Sequence, residues 1–526
     1  MSDLIRRVPA ALVLAVLMAV AFSVQLSGEF LWDDPMLVVD NQLTGDWRNL
    51  PRFFTVSLWE TTLLVDPNRS FYRPLMLVEL ALDRTLIDPP AAWLHRLHNG
   101  VWHLGATLAL HQLLQRLRPG AWLAFPAAAL YALHPLQNEV VAFTAARNDA
   151  MAAALMCGAL LTLLPQQVSR RRLVGGVLLF AGALLSKEVA VATPVILVGL
   201  DRLVHGRIDG WHRHGTLVAV IAAWTLLRLG LQLDVALVLP DYLTTWALHS
   251  GEMLLAPWRT SPTAYLDAVQ PGVLPAAGVT VGVLALALRG GPQARLGLVW
   301  AVLTLLPCLP AVAGNDQMPY RYLSLPLAGL AMAVHAVWPE RLSPWIGVGL
   351  AAGLAGLTLT QAPQWRDSAS LWQRGHELGP SSRSACGVFK VVEDQPEAAD
   401  WLARALGPPP AQHCCFSATR FFLDRGDPAG AVASGRTALA RGCDPSAELL
   451  APLAVAEAAT GDWVQAEQHA GSALPDPTGL APVVLSAAAK RRGDRTVLEH
   501  WAAQSPGGQI AALEAQVDWL LGLGGE

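Results

Sequence analysis

Residues 8–37 read VPAALVLAVLMAVAFSVQLSGEFLWDDPML. The stretch from 8 to 27 supplies about 20 mostly apolar residues, the length a helix needs to cross a bilayer. It ends at Gly28-Glu29, and two adjacent carboxylates, Asp33 and Asp34, follow Trp32. Acids commonly close a membrane span, and that alone would account for them. A catalytic site at the membrane surface would account for them as well. The rest of the chain decides between the two readings.

The chain has 526 residues, 53% hydrophobic and 15% charged, with a mean hydropathy of +0.38. That is too apolar for a water-soluble protein of this length and fits a polytopic membrane protein. A formal net charge of −4 carries no basic footprint for nucleic acid. Arginine greatly outnumbers lysine, and Lys187 is the first of the few lysines. With the heavy use of Ala, Leu, Gly and Pro, this points to a GC-rich bacterial genome, hence to a bacterial inner membrane. Cys157 and Cys308 lie in apolar runs and read as small core residues. Cys386, Cys414, Cys415 and Cys443 lie in a polar tail without CxxC or Cys/His metal spacing. Disulfides can form there if the tail lies outside the cytoplasm. A cleaved signal peptide is the alternative for the N-terminus. Ala21-Phe22-Ser23 is a mediocre cleavage site and further spans follow, so the first span is read as retained.

Spans are expected at 8–27, 98–117, 121–135, 149–165, 173–187, 188–204, 215–233, 272–289, 294–312, 320–338 and 343–361. The stretch 242–257 contains His249 and Glu252 and reads as interfacial or re-entrant. If it does not cross, every basic cluster falls on one side: Arg6-Arg7, Arg116 and Arg118, Arg170 to Arg172, Arg202 to Arg213, Arg289 and Arg295, and Arg341. The positive-inside rule makes that side cytoplasmic, with the N-terminus inside and the C-terminal tail outside.

The opposite loops then hold the informative residues. The first, 28–97, carries Asp33, Asp34, Tyr72 and Arg73. The second, LHPLQNEVVAFTAARND, carries His134, Glu139, Arg147 and Asp149. Lys187 and Glu188 follow in SKE, and Tyr320 and Arg321 in NDQMPYRYLSLP. Ionisable groups at membrane depth are costly and mark function by default. Snorkelling or paired structural charge explains any one of them, but explains the whole set on one face less well. Transfer from a lipid-phosphate donor needs such a set. Arginine binds phosphate through a planar fork and lysine as a point charge. A carboxylate deprotonates the acceptor hydroxyl as it attacks the sugar. Asp34 would orient Asp33, bind acceptor or hold a metal. One aspartate pair is a weak metal signal, so no metal ligand is assigned and a divalent cation stays open.

FLWDD, YRPL, HPLQNEVVAFTAARND, SKE and YRYLSLP occur in an order that resembles the TPR-bearing protein O-mannosyltransferases of the secretory pathway and their bacterial relatives, within the GT-C superfamily. The resemblance runs over about residues 28–380, including QWRDSASLWQRGHELGP. It implies a polyprenyl-phosphate sugar as donor and an acceptor on the outer face, with protein Ser/Thr hydroxyls expected. Carried over, Asp33 is the general base and Asp34 its neighbour. Tyr72, Arg73, Arg147, Lys187 and Arg321 are candidates for the donor phosphate. Glu139, Asp149, Glu188 and Tyr320 support them, and Glu139 and Asp149 alternatively pair with those cations. His134, before Pro135, reads as a helix-end hydrogen-bonding residue. The middle loops are shorter than in the eukaryotic members, so the sugar (mannose or another hexose) and the acceptor stay open.

From residue 362 the composition turns polar. Asp394, Asp427, Asp462 and Asp494 recur every ~32–35 residues, the period of TPR helical hairpins. Three of them open with Gly-Asp followed by helical apolar spacing. The expectation is therefore an all-α chain. Residues 1–361 form a GT-C-like bundle of about 11 transmembrane helices. Residues 362–526 form a TPR-like α-solenoid able to recruit an acceptor protein or peptide. The competing readings are a non-catalytic membrane-anchored scaffold and a lipid-linked-sugar transporter. Transporters place charges near the midplane in repeated halves, which this sequence lacks.

Overall fold

The computed structural model describes residues 8–61, 71–208, 210–231, 243–263, 273–309, 319–476, 478–494, 496–504 and 510–523. Every regular element among the described residues is helical. Of the sequence readings, Arg6-Arg7, residues 62–70 of the first outer loop and residues 264–265 and 315–318 of the later ones fall outside the described residues, as do residue 242 and the ends of the 215–233, 272–289 and 294–312 spans. No candidate site residue does.

The expected spans fall on helices. Ala10–Phe22 continues as a tighter turn through Ser27, and Ala92–Leu117, Ala121–Leu133, Arg147–Leu163 and Arg170–Ser186 follow. Thr193–His205, Trp211–Gly230, Val273–Arg289, Gly291–Leu305, Ser324–Val337 and Pro344–Gln361 complete the set. Among the described residues, two helices are long and apolar enough to cross a membrane by length and composition: Ala10–Ser27, mean hydropathy 2.3, and Pro344–Trp365, mean hydropathy 1.3. Several others are short. A 13-residue helix such as Thr193–His205 rises about 20 Å, less than a full hydrocarbon core. Large apolar side chains nevertheless face outward on many of these helices, among them Leu12, Leu178, Leu226, Val281, Leu288 and Leu350. Such outward apolar faces suit lipid rather than water. The stretch 242–257 contributes the helix Leu243–Leu255, followed by a tight turn, Pro257–Arg259.

Small residues let helices approach. A Cβ on Gly297 would lie 2.4 Å from the Gly329 carbonyl oxygen, and one on Gly329 equally close to the Gly297 oxygen. Gly291–Leu305 and Ser324–Val337 therefore pack backbone to backbone, as helices do where lipid gives no hydrophobic drive.

The chain divides into two compact units, residues 1–379 and 380–526. The segment 362–379 thus packs with the helical bundle, although its composition is polar. The second unit is a run of short helices from Ser382–Val391 to Ile510–Leu523. The recurring Gly-Asp pairs are its joints. Gly426, Gly461 and Gly493 take positive φ of 71°, 89° and 81°, closing the preceding helix in the left-handed region that favours glycine. The aspartate that follows opens the next helix: Asp427 accepts the Gly430 N–H at 2.8 Å, and Asp494 the Thr496 N–H at 2.9 Å. LGPPPAQHCC, which interrupts the period, is a covalent hub. Its adjacent Cys414 and Cys415 form disulfides to Cys386 and Cys443. Cys157 and Cys308 are free and buried in the first unit.

Candidate active site

The two aspartates after the first helix have different environments. Asp34 is buried, and its carboxylate accepts three backbone N–H groups: Leu31 at 3.2 Å, Thr144 at 3.1 Å and Ala145 at 3.0 Å. Burial pushes its pKa up to about 6, with the Thr144, Leu31 and Ala145 N–H groups pulling the other way. Asp34 is a clasp tying the first loop to residues 144–145. Asp33 is half-buried, and among the described residues no hydrogen bond to its carboxylate is found. Burial raises it to about 6 against the opposing charge of Arg321, and Asp34 adds repulsion. A carboxylate with free acceptor capacity and a pKa near neutrality is equipped as a general base.

Arg321 lies in the turn Tyr320–Leu323 that opens Ser324–Val337. Its guanidinium pairs with Glu139, whose carboxylate also accepts the Arg321 backbone N–H at 3.2 Å. The guanidinium carbon lies 5.8 Å from the Trp32 ring centre, 5.3 Å from Phe143 and 5.2 Å from Tyr322. Burial raises Glu139 and outweighs the Arg321 charge that lowers it. Lys187, at the break between two helices, pairs with Asp149 and sits 4.9 Å over the Tyr322 ring. Arg73 pairs with Glu188 at 3.5 Å and packs over Phe71. The sequence reading thus converges on one connected set: Asp33, Arg321, Glu139, Asp149, Lys187, Glu188 and Arg73. Each cation is held at rest by a carboxylate, so the pairing that was the alternative for Glu139 and Asp149 is what the structure has.

Four other residues stand apart from that set. Arg147 is fully buried. It pairs with Asp83 at 2.6 Å and donates to Asn99 Oδ1 at 2.8 Å and the His95 carbonyl at 3.0 Å. Its guanidinium, expected at the donor phosphate, is engaged here by Asp83, Asn99 and His95. Burial raises Asp83, but His95 and Arg147 outweigh it and hold the carboxyl at about 2. The Tyr72 hydroxyl donates to the Phe54 carbonyl at 3.0 Å. The Tyr320 hydroxyl lies 2.6 Å from the Thr260 carbonyl, fixing the turn that carries Arg321. His134 behaves as a helix-end residue, with Nε2 2.9 Å from the Leu254 carbonyl and the Leu136 N–H donating to Nδ1 at 3.3 Å.

The sequence reading missed Arg228, Arg96 and Trp32. Arg228, on Trp211–Gly230, is buried over Trp224 and within electrostatic reach of Glu188, Arg73 and Tyr72. An arginine inside an otherwise apolar span was the available signal. Arg96 donates to the carbonyls of Gln25 at 2.7 Å and Trp365 at 3.1 Å, and also to Glu29. It joins the end of the first helix to the start of the aspartate loop. Among the described residues, no group of three or more His, Cys, Asp or Glu side chains is placed to hold a metal ion.

This arrangement can be set beside known proteins. Protein O-mannosyl-transferase Tmtc2 of Drosophila melanogaster is 28% identical over 196 residues, 35% of this chain and 21% of the fly protein. The chain is similar to the protein O-mannosyl-transferases. Two more proteins of that name match: F38B6.6 of Caenorhabditis elegans, 26% identical over 34% of this chain and 26% of its own length, and human TMTC1, 29% identical over 29% and 18%. The chain therefore spans about a quarter or less of the length of these protein O-mannosyl-transferases. Among solved structures, ArnT from Cupriavidus metallidurans in the apo state aligns over 86% of this chain and 79% of its own. The identity there is 14% and the TM-score 0.38. No family model matches the chain.

Proposed function

We propose that this protein is an integral-membrane glycosyltransferase. It moves a sugar, mannose or another hexose, from a polyprenyl-phosphate donor to protein Ser/Thr hydroxyls on the extracytoplasmic face. The observation that carries the reading is the asymmetry of the aspartate pair. Asp34 is committed to backbone N–H groups, while Asp33 keeps its carboxylate open opposite Arg321. The similarity to proteins named protein O-mannosyl-transferases supports the same reaction class.

In the reaction, Asp33 takes the proton of the acceptor hydroxyl as its oxygen attacks the anomeric carbon. The bond from that carbon to the lipid phosphate breaks, and the phosphate leaves with the electron pair. Arg321, Lys187 and Arg73 stabilise its charge, exchanging part of their contact with Glu139, Asp149 and Glu188 for phosphate oxygens. A good leaving group needs no second carboxylic acid to protonate it. A single displacement inverts the anomeric centre.

The second unit would recruit the acceptor along a surface of stacked helices. Its two disulfides suit an oxidising compartment and so favour an extracytoplasmic C-terminus. The test is transfer from a panel of polyprenyl-phosphate sugars to extracytoplasmic proteins, with the product mapped by mass spectrometry. Glycosylated Ser or Thr with inverted configuration is expected. Transport of donor without transfer would contradict the reading.

A further inference from the structure

Asp33 follows a residue with an unusual backbone. Trp32 has φ +49°, the one non-glycine residue with positive φ among the described residues. A bulky residue stays in that region only where its surroundings hold it there. The holding contacts come largely from the segment after the last apolar helix. The Trp32 N–H donates to Ser368 Oγ at 2.9 Å. The Trp32 ring stacks on Phe143 at 5.7 Å and meets the Trp372 ring edge-on at 5.6 Å. Beside it, the Glu29 N–H donates to the Arg366 carbonyl at 2.7 Å.

The helix Ser368–Leu378 that carries Ser368 and Trp372 is itself fixed. Asp367 caps it by accepting the Ser370 N–H at 2.7 Å. Thr263 Oγ1 donates to the Leu371 carbonyl at 3.1 Å, and a Cβ on Gly375 would lie 2.1 Å from that same Thr263 oxygen. Arg374 donates to the Trp258 carbonyl at 2.6 Å. The helix is therefore wedged between the aspartate loop and the turn after Leu243–Leu255.

We infer that Ser368 and Trp372 are positioning residues for Asp33: they lock Trp32 in its left-handed conformation and so set the direction in which the Asp33 carboxylate meets Arg321 and the acceptor. This rests on the proposed role of Asp33 as base. Releasing Trp32 lets the peptide before Asp33 turn, and the carboxylate drifts from Arg321. Since the Arg321 charge lowers the pKa of Asp33, drift moves its ionisation to higher pH.

The test compares wild type, Ser368→Ala, Ser368→Thr and Asp33→Asn as full-length protein in lipid nanodiscs. In Ser368→Ala, the Trp32 amide should exchange with solvent roughly tenfold faster. The kcat should fall about tenfold with donor KM nearly unchanged, and the acid limb of the rate profile should move to higher pH. Ser368→Thr keeps the hydroxyl and should restore all three. Wild-type kcat and acid limb in Ser368→Ala, with Asp33→Asn inactive, would overturn this inference alone. Retained transfer by Asp33→Asn would overturn the base assignment and the catalytic part of the inference with it. If none of the donors supplied is turned over, unchanged Trp32 exchange in Ser368→Ala overturns the positioning, and faster exchange supports it.

Discussion

Asp34 Oδ1 accepts the Ala145 N–H at 3.0 Å across 111 residues of sequence. With the bond from Thr144, this makes the second aspartate of the pair the joint between the first loop and the loop ahead of Arg147–Leu163. On the proposed function the two neighbouring acids have separate tasks, one structural and one chemical. Replacing Asp34 with Ala strands buried backbone N–H groups and should cost roughly 2–4 kcal/mol. Thermal unfolding in detergent checks this, and an unshifted Tm would remove the clasp.

The acid limb of transfer should lie near pH 6. Asp33 acts as base only when ionised, and burial holds its pKa at about 6. Below that pH it is protonated and transfer falls. The Arg321 charge lowers the Asp33 pKa, so removing it moves the limb to higher pH. The double variant Glu139→Gln/Arg321→Gln takes out the ion pair without leaving a lone buried charge. Its residual rate should show the limb displaced upward, and a limb that stays or moves down would contradict the facing of Asp33 and Arg321.

Arg147 should behave as a structural residue. Arg147→Met leaves Asp83 buried without its arginine and should cost about 3–5 kcal/mol of stability. Asp83→Leu/Arg147→Met should recover most of it. In whatever folds, donor KM should match wild type. A large rise in donor KM at wild-type Tm would return Arg147 to the phosphate.

The second unit should depend on its disulfides. Each joins residues 28 apart in sequence. The chain-entropy estimate for a loop of that length is about 3.5 kcal/mol. Reductant should lower the unfolding temperature of residues 380–526 and leave the first unit unchanged. Without reductant, a denatured sample should alkylate at Cys157 and Cys308 alone. Alkylation at Cys386 or Cys415 would contradict the pairing.

Much of this was legible in the sequence, and the misses have physical reasons. Apolar runs place helices because length and hydropathy are local properties, and Gly-Asp marks the joints of the tail because both residues act locally, one at positive φ and one as a cap. The convergence of Asp33, Lys187 and Arg321 was readable because charge is costly beside lipid. Arg147 drew notice for the same reason. Its partner Asp83 lies 64 residues earlier, and no local signal distinguishes a charge awaiting phosphate from one already matched. The segment 362–379 reads as polar tail, yet its Trp365 and Trp372 are buried in the first unit. Their contribution to the aspartate loop depends on long-range packing.

The central claim is that Asp33 removes the acceptor proton. It is tested most directly by single-turnover transfer from a polyprenyl-phosphate sugar by wild type and Asp33→Asn, with Tm measured on both. Asp33→Asn should keep or raise the Tm, because it removes a charge that burial disfavours, and should lower the transfer rate by roughly 10²–10⁴-fold. A folded Asp33→Asn that transfers at the wild-type rate would contradict the account.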